Sequence, residues 1–187
     1  IKNDGIVTMK RGNTFNFVEG TGAINVEQGK TTVNGAFKQK TINVKAGELV
    51  LKGETAISNT LNNDGIVSLN GSKNTIGALN NNGTANLQGN NAITTVKGDG
   101  TLNINAGNTT VTGAFAQKAV DVQAESKLEV QGNAVTETLA NAGTVTLNGS
   151  ENILGAVTGE GTLDVNAGTT TVEGAFAQKA VDVKADS

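Results

Sequence analysis

The chain contains no cysteine, histidine, proline, tryptophan or tyrosine, and five phenylalanines are its only aromatics. Without cysteine and histidine there are no Ser–His or Cys–His nucleophilic pairs and none of the usual zinc ligands. Ordinary usage would place roughly nine prolines in a chain this long, so their absence points to short, uniform turns. A net charge of −3 and so few rings supply neither the basic face nor the stacking platforms that nucleic acid requires. No apolar run approaches the roughly 18 residues of a membrane-spanning helix, so no membrane insertion is expected of this segment.

What is present is glycine, 25 residues of it, among alternating aliphatic and small polar residues. Val, Ile, Leu and Phe make up about a quarter of the 187 residues, above the roughly 20% below which disorder is the default. A thin aliphatic core is therefore expected.

The chain is organised around one unit. Thr109-Thr110-Val111-Thr112-Gly113-Ala114-Phe115-Ala116-Gln117-Lys118-Ala119-Val120-Asp121-Val122 recurs, with substitutions, from Thr31 to Val44 and from Thr170 to Val183. Each copy reads as an alternating strand, a Gly-Ala corner, a phenylalanine and a second alternating strand. The step from Phe37 to Phe115 is longer than the step from Phe115 to Phe176, and the difference is one short module near Gly83 to Gly100. Insertion of a single module is how quasi-one-dimensional repeat proteins vary.

A smaller unit shows in the pattern apolar–any–Gly. Val33-Asn34-Gly35, Leu51-Lys52-Gly53, Leu69-Asn70-Gly71 and Leu87-Gln88-Gly89 follow one another at a constant spacing. The next four end at Gly113, Gly132, Gly149 and Gly174, with longer steps before Gly113 and Gly174. With the degenerate Met9-Lys10-Arg11 this gives nine rungs. The longer ones carry an extra Gly-x-Gly turn and strand, as at Gly98-Asp99-Gly100-Thr101-Leu102-Asn103-Ile104.

Within rungs Leu102, Ile104, Val120, Val122, Leu128, Val130, Val145, Leu147, Leu163 and Val165 alternate with polar residues. Period two means strands with one wet and one buried face, and so much Gly, Asn, Val and Thr is poor helix material. The expected fold is all-β, a parallel β-helix of about nine rungs over residues 1–187 as one solenoid. Asn-Gly and Asp-Gly pairs keep an antiparallel meander open; single-rung insertion favours the helix. In that fold Phe37, Phe115 and Phe176 are expected in the core at equivalent corners. Gly35, Gly113 and Gly174 are expected to supply the turns there, as residues free to take positive φ.

Candidate chemistry is sparse. Lys38, Lys40, Lys118 and Lys179 recur at one corner and would form a basic line able to meet anionic glycans if the corners align; the alternative is a solubilising role on strands. Asp164 and Asp182 occupy matching places in neighbouring short units. Stacked on adjacent rungs they would lie about 5 Å apart, near the spacing of a retaining glycosidase pair. Asn103 and Asn43 occupy the matching places in other copies, which reads as a polar surface ladder. The turns Gly98-Asp99-Gly100 and Gly159-Glu160-Gly161 lack the repeated oxygen ligands of a calcium loop. No catalytic, cofactor-binding or metal-binding residue is assigned from sequence, no cofactor is expected, and the chain is not expected to be an enzyme.

Gly100-Thr101-Leu102-Asn103-Ile104-Asn105-Ala106-Gly107 and Thr169-Thr170-Thr171-Val172-Glu173-Gly174 resemble the passenger domains of Gram-negative autotransporters, most nearly the large rickettsial outer-membrane surface antigens. The resemblance implies a right-handed β-helix and export through a carboxy-terminal barrel. It also implies a stalk or adhesin role at the cell surface or in secreted form, contacting a host-cell protein or glycan. A self-assembling surface layer or filament, with end-to-end or lateral homotypic contacts, is the alternative; a β-helical polysaccharide enzyme is a third. Ile1-Lys2-Asn3-Asp4-Gly5 reads like Leu61-Asn62-Asn63-Asp64-Gly65, and Ser187 matches Ser126. Both ends thus fall inside repeats, and a fragment of a longer passenger is expected.

Overall fold

A computed structural model describes residues 1–184; Ser187, on which the reading of the far end rested, lies outside them. The described residues form twenty strands and no helix, and each strand pairs in parallel with the equivalent strand one turn away. The result is a β-solenoid of about ten turns.

Each turn has three flat faces. Face A begins with Ile6–Met9 and Ala23–Val26, face B with Asn13–Phe15 and Lys30–Val33. Face C begins at the bridge from Val18 to Phe37 and continues with Thr55 opposite Phe37. Ascending face A, Ile6 pairs with Ala23, Ala23 with Thr41 and Thr41 with Thr60. Side chains stacked on this face are 17 to 19 residues apart in the chain, which is the length of a turn. Some strands bend across corners without a break; Asn90–Ile104 runs over all three faces in 15 residues.

The alternation read from sequence sets what is buried. Leu102, Ile104, Val120, Val122, Leu163 and Val165 are all in the core, a single aliphatic column running the length of the rod. Asparagines inside it bond to one another up the column: Asn63 Nδ2 donates to Asn81 Oδ1 at 2.8 Å, and Asn74 Nδ2 to Asn91 Oδ1 at 2.8 Å. Buried amides without partners would cost more than these bonds return, so stacking like on like is what admits them.

The long repeat and the turn are out of phase. Thr109 lies four turns above Phe37, through Thr55, Asn74 and Asn91. Phe115 follows Thr109 by the length of one face and so sits one face further round, opposite Val96 on face A. From Phe115, three turns lead through Ala134 and Asn152 to Thr170. Phe176 is again one face beyond, opposite Val157 on face B. The corners expected to be equivalent are three different corners of the triangle. Each extra Gly-x-Gly strand supplies one added face, which also explains why nine apolar–any–Gly motifs span about ten turns.

Each of these added strands is held by the same device, buried in the first two copies and half-exposed in the last. At the corner of faces A and B, Gly98 stands above Asn81 with φ 137°, and Gln117 stands above Gly98. Gln117 Nε2 donates to the carbonyls of Gly100 (2.6 Å), Gly98 (3.1 Å) and Asn81 (3.2 Å). Asn81 Nδ2 meets Gln117 Oε1 at 3.4 Å. The trio recurs as Asn3, Gly20 and Gln39 at the corner of C and A, where Asn3 Nδ2 donates to Gln39 Oε1 at 2.7 Å. It recurs once more as Asn141, Gly159 and Gln178 at the corner of B and C, with the same bond at 2.7 Å. A Cβ on Gly98 would collide with the carbonyl oxygen of Asn81, so only glycine opens the gap through which the two amides meet.

Candidate functional site

With the core filled, function falls to what the outward positions present. On face A these positions carry Thr8, Asn25, Asn43, Asn62 and Asn80 on five successive turns. Their side chains form one ladder. Asn43 Nδ2 donates to Asn25 Oδ1 (2.8 Å), Asn62 to Asn43 (2.7 Å) and Asn80 to Asn62 (2.7 Å), and Asn25 reaches Thr8 Oγ1 at 3.4 Å. All donate in the same sense along the axis. Each amide gives one N–H and one lone pair to its neighbours and retains others for a contact outside. The small outward residues Ala23, Thr41, Thr60 and Ala78 lie alongside, so the strip is flat, neutral and accessible.

The ladder ends where Lys97 stacks on Asn80. There an open depression of about 430 Å³ is lined by Asn62, Asp64, Asn80, Asn82, Lys97 and Gly98. Asn82 Nδ2 donates to Asp64 Oδ1 at 2.9 Å on its rim. Asn80, Asn81 and Asn82 are consecutive in the chain. The structure divides them: Asn80 faces out, Asn81 is buried and Asn82 stands at the corner.

The residues singled out in the sequence are dispersed. Lys38 and Lys40 lie on face C and at its corner with A, Lys118 at the corner of A and B, and Lys179 at the corner of B and C. The basic line is corrected accordingly: the phase shift winds these lysines round the rod. Lys118 also approaches Glu137 Oε2 at 3.9 Å.

Phe37 and Phe115 are buried, each 2% exposed, whereas Phe176 is 46% exposed. The expected burial of Phe176 fails because no turn among the described residues lies above it. Gly35, Gly113 and Gly174 are also corrected in their reason. None is among the positive-φ glycines; Gly35 and Gly113 instead bring their N–H within 2.7 Å of the carbonyls of Asn16 and Thr94 in the turn below. The residues missed in the sequence are Gln39, Gln117 and Gln178, whose signal was a glutamine two places after each repeat phenylalanine.

Asp164 and Asp182 do stack in register, both outward on face C. One carboxylate has a displaced titration: Asp4 is held below its ordinary value of 3.8, first by the backbone N–H of Thr21 and then by the Thr21 hydroxyl. Those bonds measure 2.9 and 3.1 Å. Among the described residues no group of three or more His, Cys, Asp or Glu is placed to hold a metal ion, and no helix is long and apolar enough to cross a membrane. Compared with known protein families, with curated proteins and with solved structures, the chain matches none.

Proposed function

We propose that the chain is a rigid, surface-exposed segment of an exported autotransporter passenger, a rod that offers an elongated face to a host cell or a neighbouring surface. The observation that carries this reading is the continuity of face A, where the same neutral amide recurs on four consecutive turns. A rod of about ten turns, at about 4.8 Å each, is roughly 48 Å long. Parallel pairing of every turn to the next makes it stiff, so a contact on one face is held at a fixed height. The resemblance of Gly100 to Gly107 and Thr169 to Gly174 to passenger repeats supports an extracellular setting, at the outer-membrane exterior or in secreted form. The role needs no cofactor: many weak amide contacts in register sum to adhesion by multivalency.

Beads coated with the chain should bind cultured host cells above the level of uncoated beads. Asn43→Asp with Asn62→Asp, which breaks the ladder and adds like charge, should remove most of that binding while circular dichroism stays that of a solenoid. Binding equal to the uncoated control would end the contact reading.

A further inference from the structure

The charges at the corner of faces A and B stand in one file whose order, reversed, sets opposite charges against each other. From the bottom turn upward its lower half is Lys10, Glu27, Lys45, Asp64 and Asn82, each following an inward residue that pairs with the turn below or above. The upper half is Asp99, Lys118, Glu137, Gly155 and Glu173, one to a turn. Glu27 is half-buried and every other charged member is exposed. Within the rod Lys45 approaches Glu27 at 3.8 Å and Lys118 approaches Glu137 at 3.9 Å, contacts that contribute little on an open surface.

We propose that face A is the contact between two antiparallel copies of this rod. The proposal rests on the reading above only in taking face A as the contact face, and it names the neighbouring surface as a second copy. A two-fold axis between the turns of Asn80 and Lys97 lays the file of one rod against the same file of the other, reversed. Lys10 then faces Glu173, Lys45 faces Glu137, and Asp64 faces Lys118, each twice by symmetry. Glu27 meets Gly155 and Asp99 meets Asn82, so no like charges oppose. Lys45 and Asp64 of one rod close an alternating square with Glu137 and Lys118 of the other, and such a network contributes where single exposed pairs do not. Sliding one rod by one turn sets Glu27 against Glu137 and Lys45 against Lys118 in one direction, and Asp64 against Glu137 in the other; these contacts repel. Sliding by two turns restores opposite signs but leaves two turns of each rod uncovered.

The area suits a specific contact. Three outward files across a strand span about 14 Å and the rod is roughly 48 Å long. Pairing therefore covers about 700 Å² on each rod, close to the roughly 800 Å² per partner of a standard interface. Inside the charged corners, Asn25, Asn43 and Asn62 of one rod lie against Ile153, Val135 and Ala116 of the other, and Val135, 45% exposed alone, is covered. The depression at Lys97 falls on the two-fold axis, where each Lys97 meets the Asn80 of the other rod. The amides keep their ladder bonds, but their remaining polar groups lose water, which holds the affinity down. Pairing thus leans on the charges and weakens with salt.

Sedimentation equilibrium of the whole chain tests this. At about 0.01 M salt, where charges act over about 30 Å, the chain should sediment at twice its 18.9 kDa. At about 1 M, where the range falls to about 3 Å, it should be a monomer. Lys45→Glu and Glu137→Lys each bring like charges together at both symmetric contacts and should weaken pairing about a hundredfold. Mixed in equal amounts, the two variants should pair again, since both of these contacts between them then join opposite charges. In the register slid by two turns Lys45 faces Asp99 and Glu137 faces Lys10, and mixing would not restore pairing. Lys52→Glu, at the corner of faces B and C, makes the same change in charge and should pair as the wild type does. Circular dichroism should be the same throughout. A monomer at low salt, variants that pair like the wild type, or no recovery on mixing would overturn the proposal. Pairing without adhesion of coated beads supports it and ends the adhesive reading; adhesion without pairing does the reverse.

Discussion

Gln117 and Asn81 stand two turns apart at one corner, and their side-chain amides meet at 3.4 Å through the gap left by Gly98. Three successive turns are thereby joined by side chains as well as by the backbone ladder. The same contact recurs between Asn3 and Gln39 and between Asn141 and Gln178, each time where the chain gains its added face. An added face is where the pairing register is most open to error, since the neighbouring turn offers strands of similar alternation. A buried amide pair with one satisfying alignment fixes that register.

Gln117→Leu keeps the size of the side chain and removes its hydrogen bonds. It leaves the carbonyls of Gly98, Gly100 and Asn81 without this donor in a buried corner. The expected loss is about 1–3 kcal/mol, read as a fall in the midpoint of a denaturant melt. Asp121→Asn on the same strand, which faces out, should stay within about 0.5 kcal/mol. Equal effects would show that the corner pairing contributes nothing.

The repeat phenylalanines should no longer behave alike. Phe115→Ala empties a buried site and should cost about 3–5 kcal/mol. Phe176, nearly half exposed, fills no closed site among the described residues, and Phe176→Ala should cost well under half as much. Urea melts of the two variants side by side would decide it; equal losses would mean that Phe176 is as enclosed as Phe115.

Removing a whole turn should leave a shorter solenoid, but the choice of turn matters. Residues 66–83 and 84–100 each make one circuit, because Ile66 pairs with Thr84 and Thr84 with Thr101. Excising 66–83 sets Gly98 above Asn63, an asparagine like the one it now covers, and the corner trio is rebuilt. Excising 84–100 removes Gly98 and places Gln117 directly on Asn81. Both products should show β circular dichroism, and the first should melt at the higher temperature. An unfolded product from both would argue against modular turns.

Asp4 provides the pH signature. Its carboxylate is stabilised in the folded chain by two bonds from Thr21, so its folded value lies below the ordinary 3.8. The contribution is fully present above the ordinary value and is lost as pH falls through the folded one. Carboxyl NMR should show Asp4 titrating lower in the wild type than in Thr21→Val, where the hydroxyl bond is gone. Identical titration in the two would remove the hydroxyl from the account.

Much of this was legible in the sequence. Period-two alternation at Leu102, Ile104, Val120 and Val122 marked the inward positions, and the constant step from Gly35 to Gly53, Gly71 and Gly89 marked the turn. The extra strand beginning at Gly98 was legible too, as a longer spacing. Its consequence was not, because spacing alone does not reveal that a turn has three faces; hence the expectation of aligned lysines. Gln117 was overlooked because a glutamine between alanine and lysine reads as surface. Its burial depends on Gly98 beneath it, 19 residues earlier in the chain. Exposure of Phe176 depends on what lies above it, which local sequence does not encode.

The added faces separate two ways in which such a chain can grow. Duplicating a plain turn raises everything above it and leaves its compass bearing unchanged. Duplicating a long repeat, with its Gly-x-Gly strand, swings everything above by a third of a revolution. One peptide, Ala-Phe-x-Gln-Lys, consequently looks toward three points of the compass at three heights. A receptor or antibody fixed on one side of the rod meets only one of them, and three long repeats in series return the first bearing.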